Sequence, residues 1–469
     1  MKLKTPISDC IKHYVKKKPV RFHTPGHQGV KNRGFFKGAE YDITELFFSD
    51  NLLFSDGVIR ESEEQASELY GTFGTLYFTN GATSAIFAAV AAAVEGKKAL
   101  KKSILIAKNA HRSVYNAADV CGLKKVFFDL ADDGDGYFVP AKSSDIERAL
   151  QNNEDVCAVV ITSPDYFGRC AETSKIFEVT RKYGVTLIAD AAHGAHFSFC
   201  GLLPDSAARN ADYAIESCHK TMPVLTGGAV LHCANHELKV KAEQKRAVFH
   251  SSSPNYSILA SLEYAIVNFA ERGESLYGKM HKSIAAFQEI VESAGYKSQN
   301  SVFNMDNDDG FKYDFSRIVI SGEGYSGEEI RRLLEKRNIF AEMSYGNRAV
   351  FISTPYNADA VYRLAEALRD IKAAKKNMEL RSAFNEKDDG GKDEATAACL
   401  SDAPIEGAEY IKLEECEGRI AAVEIGVYPP GTPIAVNGDT ITRRAADILI
   451  KNRKSLYGLK EGKICVYER

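Results

Sequence analysis

A lysine stands at the turn between two short apolar runs, in the stretch ESCHKTMPVLTGGAV from Glu216 to Val230. The run DYAI precedes this stretch and GGAVLH ends it, so Lys220 is predicted to follow a buried strand. Burial disfavours the charged ammonium and lowers the pKa of a lysine, which an amine needs in order to form an imine. Lys220 is therefore a candidate for covalent attachment of an aldehyde cofactor.

A carboxylate ends another predicted strand, TLIAD, which is followed by AAHGAHF. A carboxylate so placed, Asp190, needs a cationic or hydrogen-bonding partner. Taken alone, Asp190 is more typical of a helix N-cap. One predicted helix and one predicted strand separate it from Lys220, which brings the two residues to neighbouring strand ends.

Two further strand ends carry polar side chains, and ligands of open parallel sheets bind beyond such ends. After TLYFT comes NGATSA, which places Thr83 and Ser84 at the start of an alanine-rich helix. Free N–H groups and hydroxyls there can hold a phosphate, although plain helix caps use the same residues. After SILIA comes KNAHRSVYNA with His111, either a hydrogen-bonded structural residue or one that stacks on a planar cofactor.

One cofactor accounts for the whole set. Pyridoxal phosphate requires a lysine for its aldehyde, a carboxylate that keeps its ring nitrogen protonated, and a helix N-terminus for its phosphate. Lys220, Asp190 and the NGATSA segment supply these three groups. The combination is much more specific than any of its members.

The order of elements predicts an α/β fold with a seven-stranded, mostly parallel sheet. The predicted strands are TLYFT, SILIA, KVFFD, CAVVIT, TLIAD, YAIES and GAVLH. A smaller α+β unit with strands SRIVIS, IFAEM and AVFIST follows, and a C-terminal domain closes the chain. The predicted divisions are an N-terminal segment 1–40, a cofactor-binding large domain 41–265, a small α+β domain 266–375, a linker 376–404 and a C-terminal domain 405–469.

Composition excludes several classes of protein. With 469 residues, 45% apolar and 26% charged, and a net charge of -3, the chain is typical of globular proteins and not of nucleic-acid binders. Its longest apolar run, AIFAAVAAAV, is about half of what a membrane-spanning helix requires. The N-terminus lacks the apolar core of a signal peptide. The ten scattered cysteines predict reduced thiols without zinc or disulfides, and we expect a cytoplasmic protein.

The chain resembles the bacterial ornithine/lysine/arginine decarboxylase family, which has the aspartate-aminotransferase fold. The resemblance covers nearly the whole chain and looks like the short form, without an extra N-terminal receiver-like domain. The motifs that carry it are FHTPGHQG (22–29), NGATSA, NAHRSVYNA, TSPDYFG, DAAHGAH, SCHKTMPVLTGGAVLH, HSSSPNY and YPPGTP.

The resemblance implies a role for each matching residue. Lys220 would bind the cofactor covalently, Asp190 would contact the pyridine nitrogen and His111 would stack on the ring. The remaining implied positions are Ala192 behind the ring, His193 beside it, Thr83, Ser84, Ser217 and His219 around the phosphate, and Ser251 from the neighbouring subunit. Lys220 or His219 would return the proton to Cα. The implied assembly is a homodimer with shared active sites.

Three positions depart from the family pattern. Relatives often have a glutamate where this chain has Ala191, LDDLH where it has SDNLL with Leu53, and a larger side chain where it has Gly227. The cofactor residues are kept, so the departures bear on the substrate side. They also motivate an alternative in which the chain is a catalytically impaired relative that serves as a partner subunit.

The predicted reaction is decarboxylation of lysine, arginine or ornithine to carbon dioxide and a diamine or agmatine, as in polyamine biosynthesis. An aminotransferase or aldolase-type lyase is the alternative on the same fold. It would need a guanidinium for the substrate carboxylate, with Arg317 and Arg348 as candidates. A basic substrate needs an acid for its distal charge, and Glu424 and Asp439 flank the YPPGTP loop that would present one.

Overall fold

The computed structural model describes residues 3–21, 25, 38–96, 102–128, 130–131, 133, 137–298, 311–382, 398–399, 407–427 and 432–468. Its helices are α1 Pro6–Lys16, α2 Val58–Tyr70, α3 Gly81–Val94, α4 Arg112–Val120, α5 Ser143–Gln151, α6 Thr173–Lys182, α7 His236–Phe249, α8 Tyr256–Ser293, α9 Gly327–Glu335, α10 Ala360–Ser382 and α11 Arg443–Lys451. Almost all of the FHTPGHQG motif and the first part of YPPGTP lie outside the described residues.

The strands in chain order are β1 Gly74–Phe78, β2 Ser103–Ala107, β3 Lys124–Phe128, β4 Val156–Thr162, β5 Arg169–Cys170, β6 Thr186–Asp190, β7 Tyr213–Glu216, β8 Ala229–Cys233, β9 Tyr296–Ser298, β10 Lys312–Tyr313, β11 Arg317–Gly322, β12 Met343–Tyr345, β13 Arg348–Ile352, β14 Ala398–Cys399, β15 Ala408–Lys412, β16 Ile425–Val427, β17 Thr432–Ala435, β18 Leu456–Lys460 and β19 Lys463–Tyr467.

The largest sheet has seven strands in the order β1-β8-β7-β6-β4-β2-β3. The pairs from β7 to β3 are parallel, and β8 runs antiparallel between β1 and β7. The predicted α/β fold with a mostly parallel sheet is therefore confirmed. Because only β8 is reversed, the carboxyl ends of β1, β2, β4, β6 and β7 lie at one edge of the sheet.

Helix α3 lies close against this sheet because its inner face is built almost entirely of alanine. Residues Ala85, Ala88, Ala89 and Ala92 are buried among apolar side chains of the sheet. Small side chains let a helix approach a strand layer closely without leaving voids. The first turn of α3 lies at the same edge of the sheet as Lys220, which follows β7.

The smaller α+β unit contains the antiparallel sheet β12-β13-β11-β9 and helices α9 and α10. The strand predicted at IFAEM is shifted, since β12 begins only at Met343. Gly346 adopts a positive φ of 56° in the turn between β12 and β13, and the Tyr345–Arg348 pair beside it sets the register. Ile339 instead donates its N–H to Leu334 at the end of α9.

Two helices run across predicted domain divisions. Helix α8 is continuous from Tyr256 to Ser293 and so passes the division placed at residue 265. Helix α10, predicted to end near Lys375, extends to Ser382. In the C-terminal domain, β15-β19-β18-β16-β17 form a sheet, with β14 beside β18. The divisions along the chain stay predictions.

Candidate active site

A cavity of about 350 Å³ lies at the carboxyl edge of the large sheet, and its volume is suited to a small ligand. It is lined by Gly81, Ala82, Thr83, Ile86, Asn109, His111, Ser113, Thr162, Pro164, Tyr166, Asp190, Ala192, His193, Ser217, His219, Lys220 and Glu342. Most of these residues follow a strand of the large sheet. Glu342 comes from the small domain, immediately before β12.

Lys220 lies in a single 3-10 turn, Cys218–Lys220, directly after β7. Its Nζ is 3.2 Å from Nε2 of His193 and lies over the ring of Tyr166, 5.7 Å from the centroid. Burial lowers the pKa of Lys220, Asp190 opposes this effect and the positive charge of Arg317 adds to it. A lysine with a lowered pKa has a larger fraction of neutral amine, the form that reacts with an aldehyde.

Asp190 is the last residue of β6 and is only 3% exposed. Its Oδ1 accepts a 3.2 Å hydrogen bond from the N–H of Ala192. No α-helix begins here among the described residues, because residues 191–196 form turns before a 3-10 helix at Phe197–Phe199. The helix N-cap interpretation of Asp190 is therefore wrong, and its carboxylate faces the cavity.

His111 lies at the same edge, as the N-cap of α4. Its Nδ1 lies 2.8 Å from the hydroxyl of Ser113 and accepts a 3.2 Å hydrogen bond from the Ser113 N–H. Burial lowers the pKa of His111, and the charge of Asp190 opposes that shift. The cap fixes the orientation of the ring while the ring lines the cavity, so a structural role and a cofactor contact are compatible.

The start of α3 offers a place for a phosphate. The side chain of Asn80 makes no capping hydrogen bond to α3, although it precedes the helix. Thr83 lines the cavity beside this first turn. Across the cavity, Nδ1 of His219 lies 3.3 Å from the hydroxyl of Ser217 and 3.2 Å from the carbonyl of Gly228. An uncapped helix N-terminus with hydroxyls and an imidazole nearby suits a dianion.

Two predicted phosphate residues lie elsewhere. The hydroxyl of Ser84 donates a 2.7 Å hydrogen bond to the carbonyl of Phe249, and Ser84 does not line the cavity. Ser251 is exposed just beyond the end of α7 and is also absent from the lining. Its predicted contact is with the neighbouring subunit, so its role stays a prediction.

Buried polar atoms that face the cavity indicate a ligand. Asn109 is 3% exposed, and neither Oδ1 nor Nδ2 has a hydrogen-bond partner among the residues that the structure describes. The hydroxyl of Thr162 is likewise buried and has no hydrogen-bond partner among the described residues. A buried amide without partners costs free energy, on the order of 1–3 kcal/mol per group, that a bound polar molecule recovers. Together with Lys220, Asp190 and the start of α3, these atoms fit pyridoxal phosphate.

Sequence reasoning missed Asn109, Tyr166 and Glu342. Asn109 and Tyr166 lie in the quoted segments KNAHRSVYNA and SPDYFG, so the position after a strand was an available signal. Glu342 carries no such signal. It reaches the cavity from another domain, where only the packing of the small domain against the large sheet places it.

The two arginines proposed for a substrate carboxylate do not line the cavity. Nη1 of Arg348 forms a 2.6 Å ion pair with Asp133. Arg317 is fully buried behind His193, and its Nη2 lies 3.0 Å from Nδ1 of that imidazole. Among the described residues that line the cavity, none is an arginine.

The two acids proposed for the distal charge also lie outside this cavity. Glu424 Oε1 is 3.6 Å from Nζ of Lys125, and Asp439 Oδ1 is 3.7 Å from Nζ of Lys108. Asp439 lines a separate cavity of about 270 Å³ against the C-terminal domain. The acids that line the cavity of Lys220 are, within the described part of the chain, Asp190 and Glu342.

Fold and site together define a pyridoxal-phosphate enzyme with the aspartate-aminotransferase type of fold. The sequence profile described as "Orn/Lys/Arg decarboxylase, major domain" matches residues 5–314, and that of the C-terminal domain of the same family matches residues 392–451. The chain belongs to the Orn/Lys/Arg decarboxylase family and is a decarboxylase that acts on basic amino acids. The resemblance inferred from the motifs is confirmed.

Similar proteins span nearly the whole chain. An arginine decarboxylase of Bacillus anthracis is 28% identical over 467 residues, which cover 96% of this chain and 93% of the relative. An uncharacterised protein of Bacillus subtilis, YaaO, is 28% identical over 498 residues, 99% of each chain. The crystal structure of the lysine decarboxylase LdcF of Francisella novicida has a TM-score of 0.78 at 18% identity and covers 99% of this chain and 81% of its own. At 18% identity, the similarity to LdcF shows a common fold and no more.

None of the helices in the described ranges is both long and apolar enough to cross a membrane.

Proposed function

We propose that the enzyme decarboxylates arginine in preference to lysine and ornithine and releases agmatine and carbon dioxide. The observation that carries the proposal is Glu342, a carboxylate that lines the same cavity as Lys220 and is not needed for the cofactor. A carboxylate binds a guanidinium through two parallel hydrogen bonds, and so favours it over a single ammonium. The relatives named arginine decarboxylase, aligned over more than nine-tenths of both chains, support the same substrate.

Glu342 is suited to a charged group at the far end of the substrate. It is exposed, so it lies at the rim of the cavity, away from the strand end that holds Asp190. Burial lowers the pKa values of both Lys220 and Arg317, and the negative charge of Glu342 opposes this lowering in each. A substrate whose α-amine lies near Lys220 would therefore have its side chain directed toward a carboxylate.

The cofactor, when bound, accepts the electron pair that the departing carboxylate leaves on Cα. Lys220 would hold its aldehyde carbon, and Asp190 would accept the hydrogen of its ring nitrogen. Thr83, Ser217, His219 and the N–H groups that follow Gly81 at the start of α3 would bind its phosphate. Ala192 and His193 line the cavity on the side of Asp190, and His111 lines it at the end of β2.

Two residues are candidates for returning a proton to Cα. Lys220 has a flexible four-carbon side chain and the lowered pKa that this step requires. Burial also lowers the pKa of His219, whose Nδ1 contacts the Gly228 carbonyl and the Ser217 hydroxyl. Because these contacts hold His219 beside Ser217, at the end of the cavity assigned to the phosphate, we assign the proton to Lys220.

Two of the departures from the family pattern, Ala191 and Leu53, are not among the described residues that line this cavity. Ala191 is 1% exposed and packs in the apolar cluster beside β6. Leu53 lies in a short 3-10 helix and lines a different surface cavity, together with Phe54 and Ala247. These positions therefore give little support to a catalytically impaired partner subunit.

A homodimer with shared sites is the assembly that we propose. Two exposed apolar side chains lie near the segment that holds Ser251, namely Val248 in the last turn of α7 and Phe54, which lines a surface cavity together with Ala247. Large exposed apolar side chains in one region are typical of a subunit interface. A cytoplasmic location stays the prediction made from the sequence.

Measuring carbon dioxide and amine products for arginine, lysine and ornithine beside norleucine and methionine tests the function. We expect the largest kcat/KM for arginine and values for the neutral pair lower by about 10²-fold or more, because a neutral side chain would cover Glu342 without pairing with its charge. Equal values for the neutral pair would remove the basic-substrate proposal. Higher kcat/KM for lysine or ornithine would remove the preference for arginine alone, and formation of an oxo acid without carbon dioxide would favour an aminotransferase.

A further inference from the structure

Two nitrogen-bearing side chains flank the imidazole of His193. Nη2 of Arg317 lies 3.0 Å from Nδ1, and Nζ of Lys220 lies 3.2 Å from Nε2. A guanidinium carries only N–H groups, and an ammonium likewise has no lone pair. A neutral imidazole offers one N–H and one lone pair, so it accepts from one of these neighbours and donates to the other.

Arg317 decides which nitrogen accepts. Burial lowers the pKa of His193 well below its ordinary value, and the charges of Lys220 and Arg317 add to the effect, so the ring is uncharged at neutral pH. Because the guanidinium can only donate, Nδ1 is the acceptor and the single ring hydrogen lies on Nε2. That hydrogen points at Lys220, which must offer a lone pair.

We infer that Arg317 is a positioning residue which, by fixing the tautomer of His193, holds the free amine of Lys220 in its neutral form. The inference rests on the proposed role of Lys220 as the cofactor lysine. A neutral amine is the form that can bind an aldehyde, and it is also the form that can take up a proton when the substrate amine displaces it.

Neighbouring residues fix the positions of Arg317 and His193. Arg317 is 0% exposed at the start of β11, and its backbone N–H donates to the carbonyl of Asp314. Burial lowers the pKa of Arg317, while the carboxylates of Asp314 and Glu342 oppose that shift and favour the guanidinium. The ring of Tyr166 lies 4.6 Å from that of His193 and limits its rotation.

Several charged groups face Lys220, and they do not act in one direction. Asp190 and Glu342 favour the ammonium, whereas burial and the charge of Arg317 disfavour it. The charge of Lys220 in turn lowers the pKa of His111 and of His193. Arg317 therefore affects the pKa of Lys220 in two ways, by direct charge repulsion and through the tautomer of His193. An experiment must separate these two effects.

The pKa of Lys220 can be measured in the full-length protein after removal of pyridoxal phosphate with hydroxylamine. Competitive acetylation with trace acetic anhydride between pH 6 and 11, read by mass spectrometry of the peptide that contains Lys220, follows the neutral amine without any turnover. Only preparations that rebind pyridoxal phosphate are used. Borohydride labelling tests separately whether Lys220 binds the cofactor, so failure of the proposed function is distinguished from failure of this inference.

A double-mutant cycle separates the two effects. We expect Arg317→Met to raise the pKa of Lys220 by about one unit, a tenfold loss of neutral amine, when His193 is present. In the His193→Phe background the same substitution should change the pKa by less than about a third of that shift. Equal shifts in both backgrounds would show that Arg317 acts on Lys220 only by charge repulsion, which contradicts the inference. The absence of a shift with His193 present would also overturn it.

Two further variants act as controls. Arg317→Lys keeps a cation that can only donate, so it should preserve the low pKa of Lys220. Arg348→Met removes another buried arginine of the same sheet, one that pairs with Asp133, and should leave the pKa unchanged. If Arg317→Met does not fold, Arg317→Gln replaces it, because an amide can accept as well as donate and no longer dictates the tautomer.

Discussion

The N–H of Gly81 donates a 2.7 Å hydrogen bond to the carbonyl of Gly227. This bond joins the start of α3, where the phosphate is expected, to the loop between Lys220 and β8. Gly227 has a φ of +99°, and a Cβ added there would lie 2.7 Å from the carbonyl oxygen of Thr79. The close approach explains why a larger residue is not accommodated in this chain.

Gly227→Ala should destabilise the protein and weaken cofactor binding, because the added carbon would push the two loops apart. Gly438→Ala is the matched control, since Gly438 also has a positive φ but open space around it. We expect Gly227→Ala to cost about 1–3 kcal/mol more than Gly438→Ala, in addition to the backbone strain that both share. Urea unfolding measures the difference, and equal losses would mean that the contact with Thr79 relaxes freely.

Lys220 should carry the cofactor covalently. Borohydride reduction of the cofactor-bound protein, followed by peptide mapping, is expected to add the pyridoxyl mass at Lys220, whose amine is kept partly neutral by burial. Lys220→Met should carry no label. A label on another lysine in the unmodified protein would overturn the assignment of this site.

Asp190→Asn should keep the fold and much of the cofactor but lower kcat by orders of magnitude. An amide cannot hold the ring nitrogen protonated, so the electron pair released from Cα is poorly stabilised. Cofactor absorbance and circular dichroism give the controls for binding and fold. Turnover close to that of the unmodified enzyme would mean that another group performs this role.

Glu342→Gln tests the substrate subsite. Removing the charge should lower kcat/KM for arginine by about 10²-fold while leaving the poor activity toward norleucine nearly unchanged, because only the cationic side chain loses its partner. Glu424→Gln is the control, since Glu424 lies near Lys125 outside the cavity. An equal loss for arginine and norleucine would indicate a structural role for Glu342.

The active form should be a dimer. Light scattering at assay concentrations is expected to give about twice the mass of one chain, and Val248→Glu should weaken association by placing a charge on the exposed apolar surface near Ser251. Activity should fall in parallel if Ser251 serves the neighbouring site. A fully active monomer would exclude shared sites.

Much of the large domain was predictable because its signals are local. Strand ends fell within one residue of the predictions at β2, β4 and β6, where runs of apolar residues are bounded by glycine or polar turns. The strand at IFAEM was misplaced because the hairpin turn at Gly346, not the apolar run, sets its register. The interpretation of Asp190 as an N-cap failed because no helix follows β6 directly.

The sequence by itself determined that Lys220, Asp190, His111 and Thr83 would meet, because each follows a strand and parallel strands end at one edge of a sheet. Only the tertiary structure brought in Glu342 and placed Arg317 behind His193, and only it removed Glu424, Asp439 and Arg348 from the site. The physical reason is that these residues belong to other domains. Their positions depend on how separate apolar surfaces pack together, and no local pattern of residues encodes that arrangement.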